Sequence, residues 1–303
     1  MLNRRSWLKF VALAGLMPKK TLADAAKSKI LQRSIPSSGE RIPAIGMGSW
    51  LTFDIGDSQR ELGVRVNVLK AFFEQGGGLV DSSPMYGSSQ HTIGRCLQEL
   101  SPANNLFSAT KVWTPLRRLG IKQIEQSETL WGRSRFDLLQ VHNMLSWKAH
   151  LETLKAWKEE DRVRYIGVTT SHGRRHDELA HIMRREPIDF VQLTYNLTDN
   201  VAERLLLPLA EERGIAVIVN RPFRRGQLFG RVRNKPLPPW AHDFGCENWA
   251  QIFLKYIISH SAVTCAIPAT SRVDHMMENM GALRGEMLDA DQRRTIALHY
   301  RSL

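Results

Sequence analysis

The stretch Gly77-Gly78-Leu79-Val80-Asp81-Ser82-Ser83-Pro84-Met85-Tyr86-Gly87 passes from an apolar run into a turn of Ser, Pro and Gly, and a helical pattern follows over 90–100. A short apolar run bounded by such residues reads as a buried strand. The same strand–helix unit recurs along the chain. Strands are expected over 42–48, 78–82, 106–112, 136–141, 165–169, 189–195, 215–219 and 263–267. Helices are expected over 61–74, 90–100, 121–131, 148–158, 176–185, 202–213, 249–260 and 273–283, with an additional one over 291–300. In the first helix, Leu62, Val66, Leu69 and Phe73 share one face. Ahead of the first strand, Ser37-Ser38-Gly39-Glu40 lies between two short apolar runs and reads as a hairpin turn.

The strands are apolar on both faces and β-branched, as parallel strands covered by helices are. Eight such units in 303 residues fit a (β/α)8 TIM barrel with an N-terminal β-hairpin and an extra C-terminal helix. A doubly wound open sheet is the alternative. It loses support because no G-x-G-x-x-G turn follows the first strand. No linker or low-complexity stretch divides residues 26–303, which read as a single domain.

Lys and Arg number 42 against 30 Asp and Glu, a formal charge of +12, and hydrophobic residues make up 43% of the chain. That balance excludes a disordered chain. Three cysteines, Cys96, Cys246 and Cys265, are too few for a disulfide scaffold, and none lies in a C-x-x-C pair. The basic residues are scattered among acidic ones, which argues against a protein of nucleic acid or membrane surfaces.

Residues 1–25 read apart from the rest. Asn3-Arg4-Arg5-Ser6-Trp7-Leu8-Lys9 precedes an apolar run over 10–17, and a small-x-small site ends at Ala25. The run is too short to span a bilayer, which takes roughly 20 residues, so stable insertion of the mature chain is not expected. The paired arginines followed by Trp and Leu resemble a twin-arginine (Tat) export signal. That resemblance implies the Tat export machinery as a partner and a periplasmic location. The alternatives are a basic tail that stays attached, a cytoplasmic protein, or retention at the inner membrane by an uncleaved signal. This segment carries Arg4, Arg5, Lys9, Lys19 and Lys20 against Asp24, so +8 of the +12 belongs to the remainder.

In a barrel of this kind, chemistry gathers where strands end. The second strand runs into Asp81 and Tyr86, the third ends at Thr110-Lys111-Val112-Trp113, and the fourth at Gln140-Val141-His142-Asn143. Taken singly, such an Asp caps a helix, such a Lys is a solvated rim residue and such a His is structural. Together at neighbouring strand ends they face one mouth. A phenol titrates near 10. A lysine beside it favours the phenolate, an aspartate holds that lysine, and a neutral histidine donates to a substrate oxygen. The set makes a proton donor for the oxyanion formed when hydride adds to a carbonyl.

These residues carry a resemblance. The stretch over 77–87, Thr110-Lys111 and Leu139-Gln140-Val141-His142 are similar, in order and spacing, to the Asp, Tyr, Lys and His tetrad of the aldo-keto reductases. The resemblance implies Tyr86 as the acid, tuned by Lys111 and Asp81, with His142 orienting the carbonyl. It also implies an extended nicotinamide cofactor. Gln192 would hold the carboxamide, with Thr169 beside it, and Tyr195 would stack on the ring. Arg221, Pro222 and Gly226 would follow the pyrophosphate, and Thr270, Arg272, Glu278 and Asn279 the adenosine. The sequence departs from the family habit at Thr170, Phe223 and Ala269. Arg272 and His275 are the cations expected for a 2′-phosphate, so NADP(H) is favoured over NAD(H).

A small-molecule carbonyl substrate would meet Trp50, Phe53, Met85 and Trp113. The basic residues Arg221, Arg224, Arg225, Arg231, Arg233 and Lys235 follow the seventh strand. They form either an attractor for cofactor phosphates or an anionic substrate, or a solvated loop. The function implied is NADP(H)-dependent reduction of an aldehyde or ketone to an alcohol. The alternative is an exported NADP-binding relative acting as sensor or scaffold with little turnover.

Overall fold

The computed structural model describes residues 30–101 and 105–303, so the expected export segment, residues 1–25, lies outside it. Strands β1 (Gln32–Ser34) and β2 (Arg41–Pro43) pair antiparallel. Gly39, at φ 76, makes the turn between them. Eight parallel strands follow: β3 (Met47–Gly48), β4 (Leu79–Asp81), β5 (Phe107–Val112), β6 (Phe136–Val141), β7 (Val163–Thr169), β8 (Phe190–Thr194), β9 (Ala216–Asn220) and β10 (Val263–Ala266). They are neighbours in chain order. The barrel closes between its first and last strands. Gly46 N–H donates to Ala266 O at 2.8 Å, and Gly48 N–H to Pro268 O at 3.1 Å.

The helices between the strands are α1 (Gln59–Glu74), α2 (Ser89–Glu99), α3 (Arg117–Trp131), α4 (Trp147–Glu159), α5 (His176–Arg185), α6 (Leu206–Arg213), α7 (Gln227–Val232) and α8 (Trp249–Ile258). Two more, α9 (Val273–Gly281) and α10 (Ala290–Ser302), end the chain. The expected (β/α)8 barrel, hairpin and C-terminal helix are all present.

Three expectations need correction. The strand expected over 42–48 is divided, with Ile42 in the hairpin and the barrel beginning at Met47. The helix expected over 202–213 breaks at Leu205, at φ −139 and ψ −54. Pro208 lacks the N–H that would bond back to Arg204, so a single-turn 3-10 segment, Val201–Arg204, precedes a restarted helix. The loop after β9 is not bare: it carries α7 and a 3-10 turn, Pro239–Phe244.

Two apolar layers hold the barrel. Inside, Ile35 and Ile42 of the hairpin meet Leu79, Phe107, Leu138, Tyr165, Phe190 and Ile218. The Phe107 and Tyr165 rings stack at 5.9 Å and Phe190 meets Tyr165 edge-on at 5.6 Å. Outside, residues such as Val80, Val112, Leu139, Val141, Val191 and Val217 pack beneath the helices. Burial on both faces explains the continuous apolar reading of the strands. Helices α2 and α3 approach so closely that a Cβ on Gly94 would stand 1.8 Å from Leu130 O.

Helix α10 begins with a capping box between Asp289 and Gln292. It is tied down by Arg293, which donates to Tyr256 O at 3.2 Å, and by Tyr300, whose hydroxyl donates to Leu228 O at 3.0 Å. No helix among the described residues is long and apolar enough to cross a membrane.

The inward side chains set the position of the site. Side chains alternate along a strand with period two. Two steps beyond inward Leu79 stands Asp81; beyond Ala109, Lys111; beyond Leu138, Gln140 and then His142; beyond Phe190, Gln192. The barrel interior is therefore apolar towards the hairpin and polar at the strands' C-terminal ends.

Candidate active site

Lys111 is fully buried, and its Nζ donates to Asp81 Oδ2 at 2.6 Å and to Ser82 O at 2.7 Å. The other carboxylate oxygen, Oδ1, accepts from Gln192 Nε2 at 3.0 Å and from Gln140 Nε2 at 3.3 Å. A buried carboxylate is tolerable when paired and bonded in this way. Burial pushes the Lys111 pKa down, and the Asp81 charge opposes that shift.

Tyr86 lies on the turn after β4. Its N–H donates to Ser83 O at 3.0 Å. The next residues are pinned by Asp54, whose carboxylate accepts from the N–H and hydroxyl of Ser88, each at 2.8 Å. Gly87 sits at φ 57, and a Cβ there would meet the Asp54 carboxylate at 2.4 Å. Lys111 Nζ is 5.3 Å from the Tyr86 ring centre, and the His142 ring stands edge-on to it at 5.7 Å.

His142 shares a hydrogen bond with Ser83 Oγ through Nδ1 at 2.8 Å. With the Ser83 hydroxyl donating to Nδ1, the ring proton of the neutral imidazole stands on Nε2. Burial and the Lys111 charge push the imidazole pKa down to about 2, so His142 is a neutral donor across the physiological range.

The Tyr86 phenol differs from expectation. Its pKa is raised, first by burial and then by Asp81, against a lowering by Arg221. Lys111 does not draw it towards phenolate, because the lysine charge is matched by Asp81 at 2.6 Å. The phenol is held fully protonated at neutral pH.

A cavity of about 680 Å³ opens over these residues. Tyr86, His142, Trp50 and Met85 line it, and so do Thr270, His275, Glu278 and Asn279. Thr169, Gln192, Arg221, Pro222 and Gly226 line it as expected.

Several expected residues do not line it. Tyr195 is fully buried outside the barrel wall, its ring 5.8 Å from Tyr256, and its hydroxyl accepts from Arg293 at 2.6 Å. Thr194 faces inward, so the next residue must face the helices. Arg272 is exposed and donates to Asp274 Oδ1 at 3.0 Å, leaving His275 as the nearer basic side chain. Trp113 is exposed on the rim, with its backbone clamped by Gln123 at 2.6 and 3.2 Å. Phe53 is core.

The structure adds residues that the strand-end reading passed over. Gln140 supports Asp81, and its place two residues before His142 on one strand was the available signal. Asn143, Ser171, His172 and Asn220 line the rim. Asn220 links three strand ends: its Oδ1 accepts from Thr194 Oγ1 at 2.7 Å, and its Nδ2 donates to Thr170 O at 2.9 Å. Asn196 Nδ2 donates to Arg221 O at 3.2 Å and holds the basic loop. That loop is split in use. Arg221 and Arg225 reach the cavity, whereas Arg231 donates to Arg301 O at 2.8 Å on α10.

A profile of the Aldo/keto reductase family matches residues 44–301. The chain belongs to the aldo/keto reductase family. Among curated relatives, it is 24% identical over 214 residues to aldo-keto reductase YhdN of Bacillus subtilis, covering 66% of this chain and 64% of that one. It is 30% identical over 179 residues to an uncharacterized oxidoreductase of Schizosaccharomyces pombe, covering 58% and 52%. The chain thus spans roughly half to two thirds of these two relatives' lengths.

Among solved structures, the thermostable aldo-keto reductase Tm1743 aligns at TM-score 0.74 and 25% identity, covering 89% of this chain and 99% of that one. An aldo/keto reductase from Klebsiella pneumoniae, solved with NADP and acetate, aligns at TM-score 0.71 and 21% identity, covering 86% and 93%.

Proposed function

We propose that this family member is an NADP(H)-dependent oxidoreductase that reduces an aldehyde or ketone to an alcohol, with Tyr86 as proton donor. The observation that carries the reading is the protonated Tyr86 phenol and neutral His142, side by side in the cavity wall next to the buried Asp81–Lys111 pair.

The cavity fits a dinucleotide. Gln192 uses its amide N–H on Asp81, which leaves its carbonyl oxygen to accept from a carboxamide. Asn279, 2% exposed, and Glu278 line the same cavity with hydrogen-bonding groups for a purine. NADP(H) rather than NAD(H) is supported by the solved relative crystallised with NADP and by His275 in the cavity wall. When bound, the reduced cofactor supplies the hydride. The protein's part is to hold the carbonyl oxygen between His142 Nε2 and the Tyr86 hydroxyl. Tyr86 then passes its proton to that oxygen as charge develops. Lys111 stands 5.3 Å from the Tyr86 ring centre and is held there by Asp81.

The test is NADPH consumption over a panel of aldehydes and ketones, with Tyr86→Phe as partner. The variant should retain NADPH binding by fluorescence titration and lose about 10²–10⁴-fold in kcat. Undiminished kcat in Tyr86→Phe refutes the donor role. NADPH binding with no carbonyl reduced by the wild type would favour the sensor or scaffold reading. We also propose that residues 1–25 direct Tat export to the periplasm. Cell fractionation of the Arg4→Lys/Arg5→Lys variant should then find the protein held in the cytoplasm, and unaltered distribution would refute this.

A further inference from the structure

We propose that Ser83 is a positioning residue for carbonyl reduction: its hydroxyl sets the tautomer and ring orientation of His142, and so turns Nε2–H to the carbonyl oxygen. This rests on the reading of the cavity as a carbonyl-reducing site.

Ser83 is fully buried and does not line the cavity, so it acts through its neighbours. Its hydroxyl lies 2.8 Å from His142 Nδ1, across 59 residues of chain. Among the described residues, Nδ1 is the one acceptor within hydrogen-bonding distance of that hydroxyl. Were Nδ1 to carry the ring proton, the Ser83 proton would be buried without an acceptor, at a cost of about 1–3 kcal/mol. The bond therefore runs from Ser83 to Nδ1. A neutral imidazole has one donor nitrogen and one acceptor nitrogen, which puts the proton on Nε2.

Among the described residues, no other side chain bonds to either nitrogen of this ring. The χ2 torsion of a histidine is broad and roughly two-fold, so burial alone leaves two ring orientations as well as two tautomers. The edge-on Tyr86 ring, 5.7 Å away, restricts the plane of the imidazole and does not tell one nitrogen from the other. The main chain is held separately: Asn143 N–H donates to Thr169 Oγ1 at 2.9 Å. That contact leaves the His142 ring free to turn. The Ser83 hydroxyl is what selects.

The end of β4 keeps Ser83 in place. Ser82 N–H donates to Ala109 O at 3.0 Å. Ser82 O accepts from Lys111 Nζ at 2.7 Å, and Ser82 Oγ accepts from Ser49 Oγ at 2.8 Å. Ser83 O accepts from Tyr86 N–H at 3.0 Å and closes a four-residue turn. Pro84 takes the second position of that turn, which suits its fixed φ. Ser83 thus joins both groups that face the carbonyl oxygen, Tyr86 through its main chain and His142 through its side chain. Removing the hydroxyl alone touches the second link and spares the first.

The experiment pairs kinetics with NMR on the full chain. Ser83→Ala should lower kcat/KM for the best aldehyde of the panel about tenfold, the worth of one buried hydrogen bond, with NADPH affinity unchanged. In a His142→Gln background, which has no tautomer to set, adding Ser83→Ala should change kcat/KM less than about twofold. Undiminished kcat/KM in Ser83→Ala overturns the proposal. So does a tenfold loss that persists in the His142→Gln background, since it would come from packing around the turn. Long-range 1H–15N spectra, with His142 assigned by its absence in His142→Gln, should show a single Nε2-protonated tautomer in the wild type and a mixture in Ser83→Ala. An Nδ1-protonated ring in the wild type, or a single tautomer that survives Ser83→Ala, also overturns it. If the wild type reduces no aldehyde, the reductase reading fails on its own, and the spectra then decide whether Ser83 sets the imidazole.

Discussion

Among the described residues two lysines, Lys111 and Lys255, are completely buried, and they do opposite work. Lys111 ends β5, and its main partner is a side chain, Asp81 at 2.6 Å. Lys255 lies on α8 on the outer side of the barrel, and its partners are backbone carbonyls: Phe244 O and Arg284 O, each at 2.5 Å, and Glu286 O at 3.0 Å. Burial lowers the pKa of both. The first ammonium faces a phenol at the cavity floor. The second joins the 3-10 turn after β9 to the segment before α10 and does not line that cavity. A buried charge by itself therefore identifies no active site. Its partners, and the open space next to them, decide the role.

The partners also decide what can be rescued. Lys111→Met should lower kcat about 10²–10⁴-fold. It should also lower Tm, because the Asp81 carboxylate is left buried without its cation. Adding Asp81→Asn should restore most of the Tm and none of the kcat, read by calorimetry and NADPH oxidation. Recovery of activity in the double variant would break the contrast. Lys255→Met strands three carbonyls that no second substitution can remove. It should cost about 3–6 kcal/mol, with kcat of the remaining folded enzyme near wild type. A loss of turnover without a loss of Tm would reverse the assignment.

A third test uses pH. His142 is held neutral when folded, its pKa near 2 against about 6.5 unfolded. The unfolded chain binds the extra proton below pH 6.5, so this residue makes stability fall as pH drops from 6.5 towards 2 and has no effect above it. The slope is up to about 1.4 kcal/mol per pH unit. His142→Gln should flatten the stability–pH curve by one proton between pH 4 and 6, measured by urea titration. An unchanged slope would mean that the imidazole is not held neutral. The smallest effect sets the scale. Asp289→Ala removes the α10 cap, far from both lysines, and should cost about 1 kcal/mol with activity intact.

The strand-end reading reached Asp81, Tyr86, Lys111 and His142 because each stands at or just past the end of a short apolar run. It placed Tyr195 in the site wrongly. Nearness to Gln192 in sequence does not give a shared face, and the alternation of strand side chains sends Tyr195 to the helices. It left Arg272 at the cofactor, whereas Asp274, two residues on, takes its guanidinium. It left six basic residues as either an attractor of anions or a solvated loop, and the fold separates them: Arg221 and Arg225 line the cavity, and Arg231 donates to α10.

Sequence alone determined the barrel, its hairpin and final helix, and the four groups at its mouth. All of these follow from local periodicity and from the order of strands. Tertiary structure alone decided the protonation of Tyr86, the support of Asp81 by Gln140 and Gln192, and the bond between Ser83 and His142. Those depend on burial and on distances between segments far apart in the chain, which no local pattern encodes.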